Sequence, residues 1–339
     1  MWPKKSRRVI NASATKTRNK PARRSNVGPC KAVVCTGSLL FVWAFFAGCG
    51  RDAGEGTLQP SPFTLQAAHL HDYAWRDRNR NGQPDNLKPE DEREALLQAI
   101  LPEAPDVLVL RGLGSESALL HFQEALQAAG HEMSHAHYIP GPTVYAGIGI
   151  LSSVKPLETQ SLSEVRFTVR GRSHQPLAGG LRISARDDLD LWIWNADLSD
   201  PSVAYERRRN EARLLSQTLR PLVQEGQHVL LSLHSREDPD SPMLRMIRDI
   251  GLQRVTPVDD HGDSWTHRDP DGFTYRMDQW IFATEALHAQ IETARVIDSP
   301  EIRAAGPFRH QVLTLGVPEP DGGSDVKTGR SPSKEPSGD

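Results

Sequence analysis

Nine residues carry the clearest ligand spacing in this chain. Asp77, Asn79, Asn81 and Asp85 set oxygen side chains at positions 1, 3, 5 and 9 of a loop, with Gly82 at position 6. Alternate side chains then point inward and the glycine permits a sharp turn, which is the chemistry of a calcium loop. Lys88 stands where the twelfth-position glutamate belongs, and Glu90 or Asp91 is the alternative ligand. A structural Ca²⁺ is one expectation; a solvated Asn-Gly turn is the other. Two weaker signals follow. Trp192 and Trp194 alternate on one strand face, as a ligand platform or, more simply, as packing between layers. His135 and His137 share a strand face near His131 without a carboxylate, and read as a surface feature.

Strands and helices must position these groups. Phe63–Leu70 is an apolar strand, and Asp106–Leu110 is an almost continuous apolar run, as in a strand buried on both faces. Further strands are expected at Tyr145–Leu151, Val165–Arg170, Leu181–Ala185, Leu189–Ala196, His228–Leu233, Gln279–Ala283, Ile291–Val296 and Gln311–Leu315. Helical spacing marks Glu90–Leu101 behind Pro89, Ser117–Ala129 before Gly130, Ala204–Gln224 and Pro242–Ile250. Arg207, Arg208 and Arg209 face solvent or a neighbour. Many strands flanked by helices predict an α/β domain: a four-layer α/β/β/α sandwich of two packed mixed sheets with helices outside.

The first 49 residues stand apart. Ten Lys or Arg and no acidic residue precede Ala32. The apolar run Ala32–Phe46 is too short to span a bilayer comfortably and suits a signal-peptide core. Phe46-Ala47-Gly48-Cys49 resembles the lipobox of bacterial lipoproteins, with Phe46 in place of the usual Leu. That resemblance implies lipid attachment at Cys49, export, and anchorage at a membrane of the cell envelope. An uncleaved anchor is the competing reading. Residues 50–62 read as a tether, 63–317 as the domain and 318–339 as a disordered tail. Cys30 and Cys35 fall in the leader, so the domain has no disulfide available.

Without the ten leader cations, 30 basic residues face 43 acidic ones, a net charge of −13. An acidic body is a poor holder of nucleic acid, whose binding draws on phosphate neutralisation.

Five local sequences together resemble the endonuclease/exonuclease/phosphatase superfamily, over Phe63–Val317. Pro105–Leu110 (PDVLVL) is similar to its "PDVLALQE" strand, and Gly147–Ser152 to its "GIGILS" strand. Val229–Pro239 resembles the strand and turn of "GDFN", Arg276–Ile281 the segment "RIDYIL", and Phe308–Val312 the terminal "SDHRPV". The resemblance implies a deoxyribonuclease-I-like fold. It also implies a Mg²⁺-dependent phosphoester hydrolase, in which a His and an Asp activate water.

Most of the implied site residues are replaced. His69 stands for the first-strand Asn, Gly112 for the metal-binding Glu, and Asp197 for the phosphate-binding His. Leu233 and Ser235 stand for the Asp and Asn of "GDFN", and Arg309 for the terminal Asp. Asp278 and His310 match the pattern. Each also has a plain structural reading, Asp278 as a residue that ties the sheet together and His310 as a satisfied core histidine. Glu to Gly removes an anionic ligand, and a guanidinium at 309 opposes a cation. The expectation is a binding or scaffold module that has lost hydrolysis and does not retain Mg²⁺. Its partner would be a phosphorylated small molecule, a lipid headgroup or a protein. The alternative is a metal-dependent phosphoesterase with a rearranged site, in which His69, His71, Asp72, Asp197 and His234 hold a transition metal.

Overall fold

The computed structural model describes residues 62–143, 146–269 and 272–316. The expectations for the leader, Cys49, the tether and the tail lie outside the described residues. The first half of the chain holds β1 (Phe63–Tyr73), α1 (Glu90–Ile100), β2 (Val107–Leu113), α2 (Glu116–Ala128), β3 (His135–Ile139), β4 (Gly147–Ser152), β5 (Pro156–Ser161), β6 (Phe167–Val169), β7 (Arg172–His174) and β8 (Leu177–Arg186). The second half holds β9 (Leu189–Asp197), α3 (Tyr205–Gln224), β10 (His228–His234), α4 (Pro242–Arg248), β11 (Leu252–Val255), β12 (His267–Arg268), β13 (Tyr275–Arg276), β14 (Gln279–Thr284), α5 (Glu285–His288), β15 (Ile291–Ile297), α6 (Pro300–Ala305) and β16 (His310–Leu315).

Two six-stranded sheets result, ordered β15-β16-β1-β2-β4-β3 and β11-β14-β10-β9-β8-β5. Each is antiparallel except for one parallel pair near its centre, β1–β2 and β9–β10. Parallel neighbours need a crossover, which α1 and α3 supply. Local chemistry starts the helices. Ser115 caps α2 by accepting the Ala118 N–H at 3.2 Å. Glu90, Asp91 and Glu92 place negative charge on the first turn of α1.

Three apolar clusters give the four layers. Leu65, Val107, Val109, Leu191, Ile193, Leu230, Ile281 and Leu313 fill the space between the sheets. Leu108 and Leu110 pack outward against Leu96 and Ile100 of α1 and Leu119 and Phe122 of α2. Trp192, Trp194 and Leu233 pack outward against Leu215 and Leu219 of α3 and Met243 and Ile247 of α4. Trp192 and Trp194 are therefore packing between layers, and Trp192 Nε1 donates to Gln227 Oε1 at 2.6 Å. Arg207 pairs with Glu211 at 2.9 Å and buried Arg208 with Glu237 at 2.8 Å.

Within the two six-stranded sheets, the strands that sequence patterning did not mark, β5 and β11, both lie at sheet edges. An edge strand needs little apolar patterning, and Pro156–Ser161 (PLETQS) has almost none. The strand expected at Val165–Arg170 shrinks to β6, part of a separate two-stranded ribbon with β7.

Gly180 lies in close inter-strand packing. A Cβ there would lie 2.8 Å from the Ile193 carbonyl oxygen and 2.8 Å from the Trp194 ring. Gly180→Ala is expected to destabilise the protein by about 1–3 kcal/mol, read as a lower urea midpoint. An unchanged midpoint would contradict that packing.

Candidate functional site

The alternation of each inner strand continues past its apolar stretch and becomes polar at one end of the sandwich. Leu65 and Ala67 point between the sheets, so His69 does too. Val107 and Val109 lead to Arg111, and Leu191 and Ile193 lead to Asn195 and Asp197. Leu230 leads to Ser232 and His234. Both parallel pairs run toward this end, so the carboxyl ends of β1, β2, β9 and β10 meet there.

Arg111 is buried here, 1% exposed. Its guanidinium donates to Asn195 Oδ1 at 3.0 and 3.2 Å, to the Ser232 carbonyl at 2.7 Å and to the Ala196 carbonyl at 3.0 Å. The Asn195 amide donates back to the Leu110 and Gly149 carbonyls at 2.9 and 3.1 Å. This exchange ties the first sheet to the second. Burial pulls the Arg111 pKa down to about 10 against the pull of Asp197, and leaves it cationic at neutral pH. Among the described residues no carboxylate forms an ion pair with it.

Around Arg111 stand two imidazoles. His69 stacks on Phe308, with ring centroids 3.7 Å apart and planes at 11°. Its Nδ1 accepts the His71 backbone N–H at 3.1 Å. Burial, then His234 and Arg111, holds its pKa well below the ordinary value of 6.5. His234 lies beside Asp197 in the β9–β10 register. Its Nδ1 is 3.1 Å from Asp197 Oδ1, and its buried Nε2 has no hydrogen-bond partner among the described residues. The two rings are 5.8 Å apart. His267 also faces Phe308, at 4.6 Å.

Of the residues singled out by sequence, His69 and Asp197 are brought together, with His234. Gly112 sits in a bulge of β2 at φ +70°, a conformation that favours glycine. A Cβ there would be 2.9 Å from His69 Cε1, so the His69 ring occupies the space beside it. Leu233 turns outward into the α3–α4 core, and buried Ser235 accepts the Glu237 N–H at 3.3 Å.

Asp278 is 1% exposed and lies to one side. Its neighbours are Arg236 Nε at 3.3 Å, His267 Nδ1 at 3.7 Å and Arg276 Nε at 3.8 Å. Its side chain lies beside His267, whose ring faces Phe308. Its main chain ties the sheet as well, donating to Thr266 Oγ1 at 2.9 Å and accepting from the Ser235 N–H at 2.8 Å.

Two expectations are corrected. Arg309 does not face the site as an unpaired cation. It pairs with Asp259, lies 3.6 Å from Asp298, and stacks 3.8 Å under the Trp265 ring. Burial would raise the Asp259 carboxyl, but Arg309 and the backbone N–H groups of Asp263 and His261 hold it at about 2. His310 does not join the other histidines. It precedes Gln311, and alternation puts Gln311 between the sheets and His310 toward α1. There its Nδ1 meets Gln66 Nε2 at 3.0 Å, the placement of a core histidine. Patterning missed Arg111 and Asn195. A lone Arg inside Val-Leu-Val-Leu-Arg-Gly-Leu was the available signal.

The Asp77–Asp85 loop closes on itself. Asp77 accepts the Asn81 and Gly82 N–H groups at 2.7 and 2.8 Å, and Asn81 Nδ2 donates to Asp85 at 2.8 Å. Lys88 is buried, donating to the His71 carbonyl at 2.9 Å and pairing with Glu92 at 2.5 Å.

A hydrolase of the implied kind needs a divalent cation held by oxygen ligands. Among the described residues no group of three or more His, Cys, Asp or Glu side chains is placed to hold a metal ion. The strand ends offer one carboxylate, Asp197, beside a permanent cation. That donor set does not fit Mg²⁺.

No protein-family model matches the chain, and no curated protein does. Solved structures do. An endonuclease/exonuclease/phosphatase from Bacteroides vulgatus superposes with a TM-score of 0.56 at 13% identity, covering 76% of this chain and 100% of that one. The human Nocturnin catalytic domain with bound sulfate gives 0.54 at 14%, covering 75% and 94%. A mannosyl-6-phosphatase from Bacteroides thetaiotaomicron gives 0.53 at 14%, covering 75% and 99%. The chain has the fold of these proteins, and at such identities the likeness speaks of fold alone.

Two outcomes are expected. Asn195→Ala removes the amide acceptor of Arg111 and the donor to the Leu110 and Gly149 carbonyls, and should cost roughly 3 kcal/mol or more in urea unfolding. A loss under about 1 kcal/mol would contradict the tie. Burial lowers the His310 pKa from 6.5 to about 4. The unfolded chain therefore binds a proton that the folded chain refuses between those values. The stability due to neutral His310 is complete above pH 6.5 and is lost as pH falls toward 4, on the order of 3 kcal/mol. His310→Leu should flatten the urea midpoint against pH across that window; an unchanged slope would contradict the placement.

Proposed function

We propose that this chain is an exported, membrane-anchored binding module that keeps the endonuclease/exonuclease/phosphatase fold and has given up metal-dependent phosphoester hydrolysis. The observation that carries the reading is Arg111. A guanidinium held by Asn195, Ser232 and Ala196 lies among the strand ends, next to the glycine that stands for the metal-binding glutamate. A divalent cation there would meet a like charge without the carboxylates that offset it. Export and anchorage are supported by the basic leader, the Ala32–Phe46 run and Cys49. The acidic body disfavours nucleic acid as partner.

One observation favours a hydrolase with a rearranged site. Asp197 orients His234 and leaves Nε2 unpartnered, the arrangement of a general base. In that reading the base would act on water without a metal.

One assay separates the two. Purified protein is offered bis(p-nitrophenyl) phosphate and p-nitrophenyl phosphate with Mg²⁺, Mn²⁺, Ca²⁺, Zn²⁺ or chelator. No turnover above that of His234→Ala, with any metal, is the expected result. Metal-dependent turnover lost in His234→Ala would overturn the proposal. Turnover insensitive to chelator and lost in the same variant would establish the general-base reading instead.

A further inference from the structure

We infer, resting on the binding-module reading above, that the strand-end site and the cleft beside it take a neutral, hydroxyl-bearing ligand of saccharide type. Ligands recognised through a phosphoryl group do not match its hydrogen-bonding pattern.

The pattern follows from what holds the two imidazoles. His71 N–H donates to His69 Nδ1 at 3.1 Å, so the neutral ring carries its proton on Nε2. His69 presents a donor. His234 Nδ1 lies 3.1 Å from Asp197 Oδ1, and the proton shared there leaves a lone pair on Nε2. His234 presents an acceptor, buried and without a partner among the described residues. A donor and an acceptor on rings 5.8 Å apart suit a hydroxyl group, which accepts and donates at once. An unprotonated phosphoryl oxygen only accepts. It would meet the His234 lone pair, with the Asp197 carboxylate behind it. The net charge of −13 on the chain without its leader cations opposes an anion as well.

The neighbouring cleft supplies the rest of the ligand's surface. It has a volume of about 500 Å³ and begins at Phe308, the ring stacked on His69. Such a volume is typical of a small-molecule site. Trp265 and Tyr275 form its aromatic wall, 4.7 Å apart. Arg309 stacks under Trp265 at 3.8 Å and fixes the ring before any ligand arrives. A rigid aromatic wall costs little entropy on binding and matches the C–H face of a pyranose. Asp269, which holds His267 and Arg276 through Oδ1, and Arg303, which holds Asp298 through Nε and Nη2, line the same cleft and keep Oδ2 and Nη1 for further hydroxyls.

The test uses the full chain and a panel of neutral probes: the methyl glycosides of glucose, galactose, mannose and N-acetylglucosamine. Inorganic phosphate and mannose 6-phosphate serve as anionic counterparts. Binding is read from the imidazole Cε1–H resonances of His69 and His234 and from tryptophan fluorescence. At least one neutral glycoside should shift both histidines and the fluorescence together. His234→Gln and Trp265→Ala should each weaken that binding about tenfold. His121→Gln, outside the cleft, serves as a substitution control. Response to phosphate or mannose 6-phosphate without response to neutral glycosides overturns the inference. So does silence from every neutral probe. Metal-dependent turnover in the earlier assay would instead overturn the binding-module reading, so the two failures remain distinct.

Discussion

The open end of this sandwich is closed by one buried guanidinium. Arg111 rises from β2 of the first sheet and spends its hydrogen bonds on β9 and β10 of the second, while Asn195 of β9 bonds back to β2 and β4. A buried charge without a carboxylate in ion-pair range is costly unless its donors are satisfied. Arg111 meets the condition in part: Nε and Nη2 donate to carbonyl oxygens and an amide, while Nη1 is buried without a partner among the described residues. Those acceptors exist only when both sheets are formed and in register. The interaction therefore reports on the whole sandwich and couples its two parallel pairs.

The same guanidinium decides what the strand ends can do. Their positions are dictated by alternation along β1, β2, β9 and β10, so whatever residue falls at the inward end joins the site. In this chain the inward ends are His69, Arg111, Asp197 and His234. One carboxylate, two imidazoles and a fixed cation make a hydrogen-bonding site better than a metal site. Gly112 belongs to the same arrangement, because its missing side chain leaves the space that the His69 ring takes.

The layers of the fold were legible in the sequence because apolar runs such as Asp106–Leu110 and the spacing of Ala204–Gln224 follow from burial alone. The edges were less so. β5 and β11 sit at sheet margins, where no apolar pattern is required. The site was legible in part. His69 and Asp197 emerge from the motif order, and both lie at the strand ends beside His234. Arg309 and His310 did not follow the motif. The partner of Arg309 is Asp259, fifty residues away in sequence. No local pattern reveals that ion pair. His310 keeps the motif's residue type, but alternation after Phe308 turns it toward Gln66 and α1. Residue type is written locally, whereas the face a strand shows is settled by its neighbours.

The central claim is that a protein cation, in place of a bound metal, occupies the strand ends. Its most direct test is a Mn²⁺ titration followed through the imidazole resonances of His69 and His234, since a paramagnetic ion broadens nearby protons without any need for turnover. The two signals are predicted to stay sharp to millimolar Mn²⁺. Selective broadening of both at low micromolar Mn²⁺ would place a metal beside Arg111 and contradict the account.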